Sequence, residues 1–292
     1  MKKRAATSGS KQKAGYYSAA PLTLLLLLLF VAPMLVVLGF SFTEPNTFEI
    51  FHNPTLASYQ AIFENGYYKS LLWSFGLSLA ATAVSFVLMY PIAYGMAKVF
   101  KRFSLVITTV IVIVLFVAED TRVFGWTLSL MQGGMLLGPL EHWFGIGLSS
   151  PLNHTSMIIL GLFYSYSPFM LYCTLYGLSA IPDEVRLAAE DLGASRTRIL
   201  FEIDIPLAMP GIVVGWLLTF ALGVGAISGA ALLSRQSVIV AAREIRTAFN
   251  YSQNWPLGAA LVVILVVVVA ACAFYALSKV DLDRIMGKGN PA

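Results

Sequence analysis

The chain has 292 residues, of which 58% are hydrophobic and 12% charged. A soluble domain carries about 25% charged residues, so a soluble globular protein is excluded, together with disordered and collagen-like classes. The net charge of +4, from 19 Lys and Arg against 15 Asp and Glu, invites a nucleic-acid reading only until the charges are located along the chain. With a mean hydropathy of +0.77, the expected fold is an all-α polytopic membrane helix bundle.

Taken in order, the chain begins with a basic tail, residues 1–19, containing Lys2, Lys3, Arg4, Lys11 and Lys13. The first apolar span is Ala20 to Phe42, inside a charge-free stretch that ends at Glu44. About twenty such residues cross a hydrocarbon core of about 30 Å. The run exceeds the apolar segment of a cleaved signal peptide, so it is expected to stay as a membrane span. The next spans are Ser70 to Ala97, Phe103 onward, Thr155 to Ala180, Leu207 to Ser234 and Leu257 to Ser278. Only 16 residues separate Arg102 from Glu119, so the third must continue through Glu119, Asp120 and Arg122 toward Leu130 if it is to cross. Six spans result, filling residues 20–278, before a tail at 279–292.

Fourteen of the 19 basic residues fall in the two tails and the loops after spans two and four, and five (Lys69, Arg122, Arg235, Arg243, Arg246) on the other side. This bias puts both termini in the cytoplasm. The outer segments at 43–69 and 131–153 are rich in Gly, Pro, Asn and aromatics, which predicts short connectors. Between spans five and six, over Ser237 to Phe249, apolar Val238, Ile239, Ala242, Ile245 and Phe249 set against Arg243, Glu244 and Arg246 form a pattern that suits a helix at the outer interface or a re-entrant element, with a plain interfacial connector the favoured alternative.

The segment 181–206 stands apart. Six acidic residues (Asp183, Glu184, Glu190, Asp191, Glu202, Asp204) and three basic ones (Arg186, Arg196, Arg198) sit in one loop on the cytoplasmic side. Pro182 suits a helix start, with Asp183 and Glu184 in the first turn where the helix dipole favours them. Val185, Ala188, Ala189 and Leu192 then share a face, and Gly193 can take the left-handed conformation that ends such a helix. A second short helix is expected through Leu200, with Pro206 beginning the next span. From the residues alone, a connector folded back on the bundle and a docking element are equally open.

No catalytic or metal-ligand pattern accompanies this loop. Cys173 and Cys272 lie in apolar runs, His52, His142 and His154 are scattered, and no phosphate-binding loop occurs. Charge inside a span is confined to Glu119, Asp120 and Arg122; Arg122, at i+3 from Glu119, can pair with it, and a solute-path site and a structural ion pair at the outer membrane edge are equally open. An intramembrane enzyme using Glu119 and Asp120 would lack any supporting His or metal pair. Gly211-x-x-x-Gly215 and Gly225-x-x-x-Gly229 predict close helix approach on span five.

The loop resembles the EAA loop in permease subunits of binding-protein-dependent ABC importers, whose pattern is E-A-A, three residues, G, nine residues, I-x-L-P. Here the pattern reads Leu187-Ala188-Ala189, Gly193 and Ile203-Asp204-Ile205-Pro206, with both gaps intact. Leu187 replaces the leading Glu and Ile205 the Leu, while Glu184 or Glu190 lies one turn away. Pro33 with Ser41-Phe42, Tyr90-Pro91-Ile92-Ala93, Arg122-Val123-Phe124-Gly125 and Asn254-Trp255-Pro256-Leu257-Gly258-Ala259-Ala260 extend the likeness from about Leu22 to Leu277 and resemble the spermidine/putrescine-type branch.

The resemblance implies a non-catalytic membrane subunit of the bacterial inner membrane. Its implied partners are a second, non-identical permease, two cytoplasmic ATP-binding subunits that hold ATP and magnesium, an extracytoplasmic solute-binding protein and membrane lipid, with no nucleic acid and no cofactor in this chain. It implies that Glu184, Leu187, Ala188, Ala189, Glu190, Asp191, Gly193 and Pro206 couple to the ATPases. Candidates for the solute path are Glu119, Asp120, Arg122, Tyr166, Asn250 and Trp255. A polyamine or other amine-bearing compound is the implied solute; an opine, an amino acid derivative or a phosphonate is the alternative. An ion-driven secondary transporter is a third reading.

Overall fold

The computed structural model describes residues 21–45, 54–145, 149–234 and 238–279. The predicted basic tail at 1–19, Ser237, Arg235 and nearly all of the tail at 279–292 lie outside these. Among the described residues all regular structure is helical. The helices are α1 (Pro21–Ser41), α2 (Ala57–Glu64), α3 (Tyr68–Val99), α4 (Lys101–Leu115), α5 (Glu119–Leu130), α6 (Leu137–Phe144), α7 (Thr155–Ser179), α8 (Asp183–Asp191), α9 (Arg196–Val224), α10 (Ala241–Asn250) and α11 (Trp255–Ser278). Five of them, α1, α3, α7, α9 and α11, are long and apolar enough to cross a membrane, and the bent pair α4 and α5 brings the number to six.

That bend revises the predicted third span. The chain turns by 94° between Leu115 and Glu119, with Ala118 extended at ψ 140°. A straight helix would carry two carboxylates and Arg122 onward through hydrocarbon, which is costly. The turn instead places Glu119 and Asp120 in the first turn of α5, where its exposed N–H groups favour negative charge. Span five also differs. Its helix ends at Val224, so Gly225 and Gly229 do not share one helix, and a separate π-helical turn follows over Gly229–Leu233. At its other end α9 runs without interruption from Arg196 through a π-helical turn, Leu200–Asp204, into Ile205. Pro206 therefore lies within a continuous helix rather than starting one. The widened turn ends two residues before Pro206, and a second, Leu27–Val31, ends two residues before Pro33. Proline offers no N–H and crowds the carbonyl four residues back, which favours such a local departure from α geometry. The outer segments predicted as plain connectors contain α2 and α6.

The described chain divides into two compact units. The first comprises residues up to Asn65 together with Ile245–Ile264. In it Trp255 packs edge-on to Phe40 and to Phe249, with ring centroids 5.9 and 6.2 Å apart, and the Tyr59 hydroxyl donates to Ser41 Oγ at 2.9 Å. The Asn254 side chain accepts from the Leu257 N–H at 3.2 Å, capping the start of α11.

The second unit, Gly66–Glu244 with Leu265 onward, is built on α3, α7 and α9. Small residues let α7 and α9 touch at backbone distance. A Cβ on Gly211 would lie 2.5 Å from the Cys173 carbonyl oxygen and 2.8 Å from Gly177 Cα. In lipid, where apolar side chains gain little by leaving the solvent, such close packing and polar contacts drive association. Tyr90, Met96, Leu171, Leu178, Ala208 and Ile212 form one buried cluster, and Leu77, Ile158, Leu162, Ala230 and Val240 another. Thr82 and Ser85 satisfy their hydroxyls on the carbonyls of Ser78 and Ala81, and Ser74 Oγ caps α10 by accepting from the Ala241 N–H at 2.8 Å. The helix between the last two spans thus begins at Ala241, later than the pattern predicted, with Ala241, Ala242 and Ala248 buried and Ile239 exposed.

The close approach at Gly211 predicts that Gly211→Leu costs about 1–3 kcal/mol through overpacking. Gly225, where a Cβ would meet only its own helix's carbonyls at 3.9 Å or beyond, should accept Ala with little change. Thermal unfolding of the two detergent-purified variants should show a clear drop in Tm for the first alone.

Candidate functional site

The loop between α7 and α9 folds as its residues dictate. Pro182, at φ −61° and ψ 140°, immediately precedes α8, and Asp183 and Glu184 occupy its first turn. At the far end Gly193 takes φ +80°. Its N–H donates to the Glu190 carbonyl at 2.9 Å, and the Ala194 N–H donates to the Ala189 carbonyl at 3.0 Å. These two bonds make a Schellman ending, which only glycine or occasionally asparagine accepts without strain. Ser195 then caps the next helix, its Oγ accepting from the Arg198 N–H at 3.3 Å.

Almost all of α8 is exposed. Leu187 is 58% and Leu192 90% accessible, while Glu184, Ala188, Glu190 and Asp191 are also exposed and Ala189 half-buried. Pro206 is exposed on α9. An apolar face left bare beside a packed membrane bundle marks a binding surface more often than a lone exposed leucine does.

The side of α8 that carries Asp183 and Arg186, opposite Val185 and Ala188, is fastened to the bundle by residues that sequence reasoning missed. Lys98, at the end of α3 with only 3% of its side chain accessible, donates to the Ile181 carbonyl at 2.7 Å and to Asp183 at 3.3 Å. Lys101, at the start of α4, reaches Asp183 at 2.6 Å. These hydrogen bonds, the one from Lys101 foremost, hold the Asp183 carboxyl below the usual carboxylate range. Arg186 turns inward to Asp204, Nε to Oδ1 3.4 Å, where the carboxylate is fully buried. Its guanidinium lies 5.4 Å from the Tyr94 ring centroid and donates to the Tyr94 hydroxyl. One signal was available: Asp204 is the charge within the otherwise apolar run from Ile203 to Met209.

The second candidate cluster forms around the break before α5. Tyr166 of α7 donates to Glu119 Oε2 at 2.9 Å, and Ser228 donates to Asp120. Arg122, spaced for an ion pair with Glu119, makes none; its guanidinium sits 5.9 Å from the Tyr164 ring centroid with Nε buried and unpartnered. Trp126 packs edge-on to the same ring at 5.7 Å. Glu119, Asp120, Arg122 and Tyr166 therefore share one neighbourhood of the second unit. Asn250, exposed at the end of α10, and Trp255 in its aromatic cluster belong to the first unit. Among the described residues no His, Cys, Asp and Glu group has the makings of a metal site.

These features define a polytopic helical membrane protein with an exposed helix anchored on the loop between two of its spans. The chain matches the family described as binding-protein-dependent transport system inner membrane component over residues 17–282, and it belongs to that family. It is thus the non-catalytic, membrane-embedded permease subunit of a binding-protein-dependent ABC importer. Among its relatives, the spermidine/putrescine transport system permease protein PotB of Haemophilus influenzae is 31% identical over 247 residues, covering 83% of this chain and 85% of that one. The protein of the same name from Escherichia coli is 29% identical, covering 83% and 89%. The fold is also that of a chain in the crystal structure of a bacterial ABC transporter involved in the import of the acidic polysaccharide alginate. The TM-score is 0.73 at 15% identity, covering 94% of this chain and 98% of that one.

The Asp183 contacts predict a pH signature. Its carboxyl is depressed when folded, so the anchoring contribution is complete above the carboxyl's unfolded pKa and is lost as pH falls through the lower folded value. Amide exchange over Leu187 to Asp191, where the N–H groups of α8 are bonded within the helix, should stay protected at neutral pH and rise, relative to its intrinsic rate, only below the ordinary carboxylate range. Asp183→Asn should show the faster exchange already at pH 7.

Proposed function

We propose that this permease imports a polyamine or a related amine-bearing solute, and that α8 is the element through which cytoplasmic ATPase subunits drive it. The observation that carries the coupling reading is the bare apolar face of α8, Val185 and Ala188 with Leu192 just past the helix end, all exposed, on a helix whose other side, carrying Asp183 and Arg186, is pinned to the bundle. Glu184, Leu187, Ala189, Glu190 and Asp191 flank that face, and Gly193 sets the turn that ends the helix. With Leu187 in place of the pattern's leading carboxylate, docking here relies on apolar contact, supplemented by Glu184 or Glu190. Pro206 lies in the helix that follows.

In this reading both termini are cytoplasmic, as the basic residues indicate. A second, non-identical permease completes the path, two ATP-binding subunits hold ATP and magnesium, and an extracytoplasmic binding protein delivers the solute. Closure of the ATPases displaces α8, and the spans reorient to expose the path first outward and then inward.

For the solute, the relatives named above are spermidine/putrescine permeases, and Glu119 and Asp120 supply carboxylates suited to ammonium groups. Tyr166 orients Glu119, and Arg122 balances part of the negative charge. Asn250 and Trp255 are assigned to the outer part of the path, toward the binding protein.

The complete complex in proteoliposomes should take up labelled spermidine or putrescine only with ATP. Val185→Asp combined with Leu192→Asp should lower that uptake at least about tenfold, as loss of central interface anchors does, while the permease still accumulates in the membrane. Unchanged uptake in the double variant would refute the coupling role. Failure to move either polyamine, with ATP hydrolysis still stimulated by the binding protein, would refute the solute and leave the permease reading intact.

A further inference from the structure

The two fastenings of α8 are not equivalent. Asp183 is 53% accessible, and ion pairs at such exposure contribute little. Arg186 and Asp204 are different: 20% and 0% of their side chains are accessible, and no regular hydrogen bond reaches either carboxylate oxygen. A buried carboxylate in that setting depends on the guanidinium for its charge balance. The arginine is in turn held by Tyr94 from α3, by a hydrogen bond to the hydroxyl and by its position over the ring.

The placement of Asp204 matters as much as its burial. It is the last residue of the π-helical turn in α9, and irregular turns of this kind recur at functional positions. From Asp204 the helix continues to Val224, about 30 Å at 1.5 Å per residue. The covalent route from α8 to α9 passes through the exposed Leu192-Gly193 turn, where Gly193 has open space around it. Such a turn yields when pushed. The Arg186 to Asp204 contact bypasses it.

We propose that Arg186 and Asp204, braced by Tyr94, form a strut that transmits displacement of α8 directly into α9, making them positioning residues for ATP-coupled transport. This rests on the reading of α8 as the ATPase-coupling element. Neither residue touches solute or ATP; each acts through the helix it moves.

The test uses the whole complex, comparing ATP hydrolysis stimulated by the binding protein, with spermidine present, to the basal rate. Replacing a buried ion pair with apolar residues usually preserves folding, so Arg186→Met with Asp204→Leu should assemble normally and keep the KM for ATP. The stimulation ratio should nevertheless fall at least about fivefold, within the range typical of coupling between sites. Exchanging the charges, Arg186→Asp with Asp204→Arg, should regain most of it. A ratio within about twofold of the unaltered complex in the assembled Met/Leu variant would overturn the strut. If that variant fails to assemble, Arg186→Lys decides, because it keeps the charge but loses the planar fork that spans Asp204 and Tyr94; an unchanged ratio there also overturns the proposal. Failure of the underlying coupling reading looks different, since Val185→Asp with Leu192→Asp on the exposed face of α8 would then leave the stimulation ratio unchanged.

Discussion

A helix outside the bilayer can move a membrane bundle only if it is held to that bundle by something stiffer than a loop. In this permease subunit α8 is held through Lys98, which carries the Ile181 carbonyl and Asp183, and through Arg186, which meets the buried Asp204 carboxylate. Val185 and Leu192, exposed on the far side, acquire significance from that attachment. Without it, an apolar surface on a nine-residue helix would be a tether able to bind and unable to transmit.

The bundle to which α8 is fastened is assembled by a different principle. Where α7 crosses α9, Gly177 and Gly211 bring backbones so close that a single methyl group would collide with a carbonyl oxygen. Contacts of that kind do not slide continuously; they hold one register until both helices move. The short π-helical turn beside Gly161 and the capping of α10 by Ser74 extend the same tight packing toward the end of the unit that holds Glu119, Asp120 and Tyr166. Charge is treated differently at the two ends. At α8 the carboxylates are met by lysines and arginine, whereas near α5 the carboxylates are met by hydroxyls and Arg122 is left beside an aromatic ring.

The sequence made the loop legible because its signals are local. Pro182, the two acids after it and Gly193 specify where α8 starts and stops, and each took the conformation its chemistry favours. The spans were legible from length and hydropathy. What stayed hidden was long-range: Lys98 and the Ile181 carbonyl are 83 positions apart, and nothing local marks Arg186 as the partner of Asp204. The turn between α4 and α5 was hidden for another reason, since Phe116, Val117 and Ala118 include no Pro or Gly. Only the cost of carrying Glu119 and Asp120 onward argues for it. The predicted Glu119 to Arg122 pair had the right spacing, but Tyr166 and Tyr164, from a different helix, offered each a partner instead.

We propose that the bare face of α8 is covered by an ATP-binding subunit in the working transporter. A photo-activated cross-linker at position 192, the exposed apolar residue immediately after the helix, probes that contact in the complete complex within membranes. Docking should give adducts with the ATP-binding subunit whose yield changes between ATP-bound and nucleotide-free states. Adducts confined to lipid or to this chain itself, in both states, would contradict it.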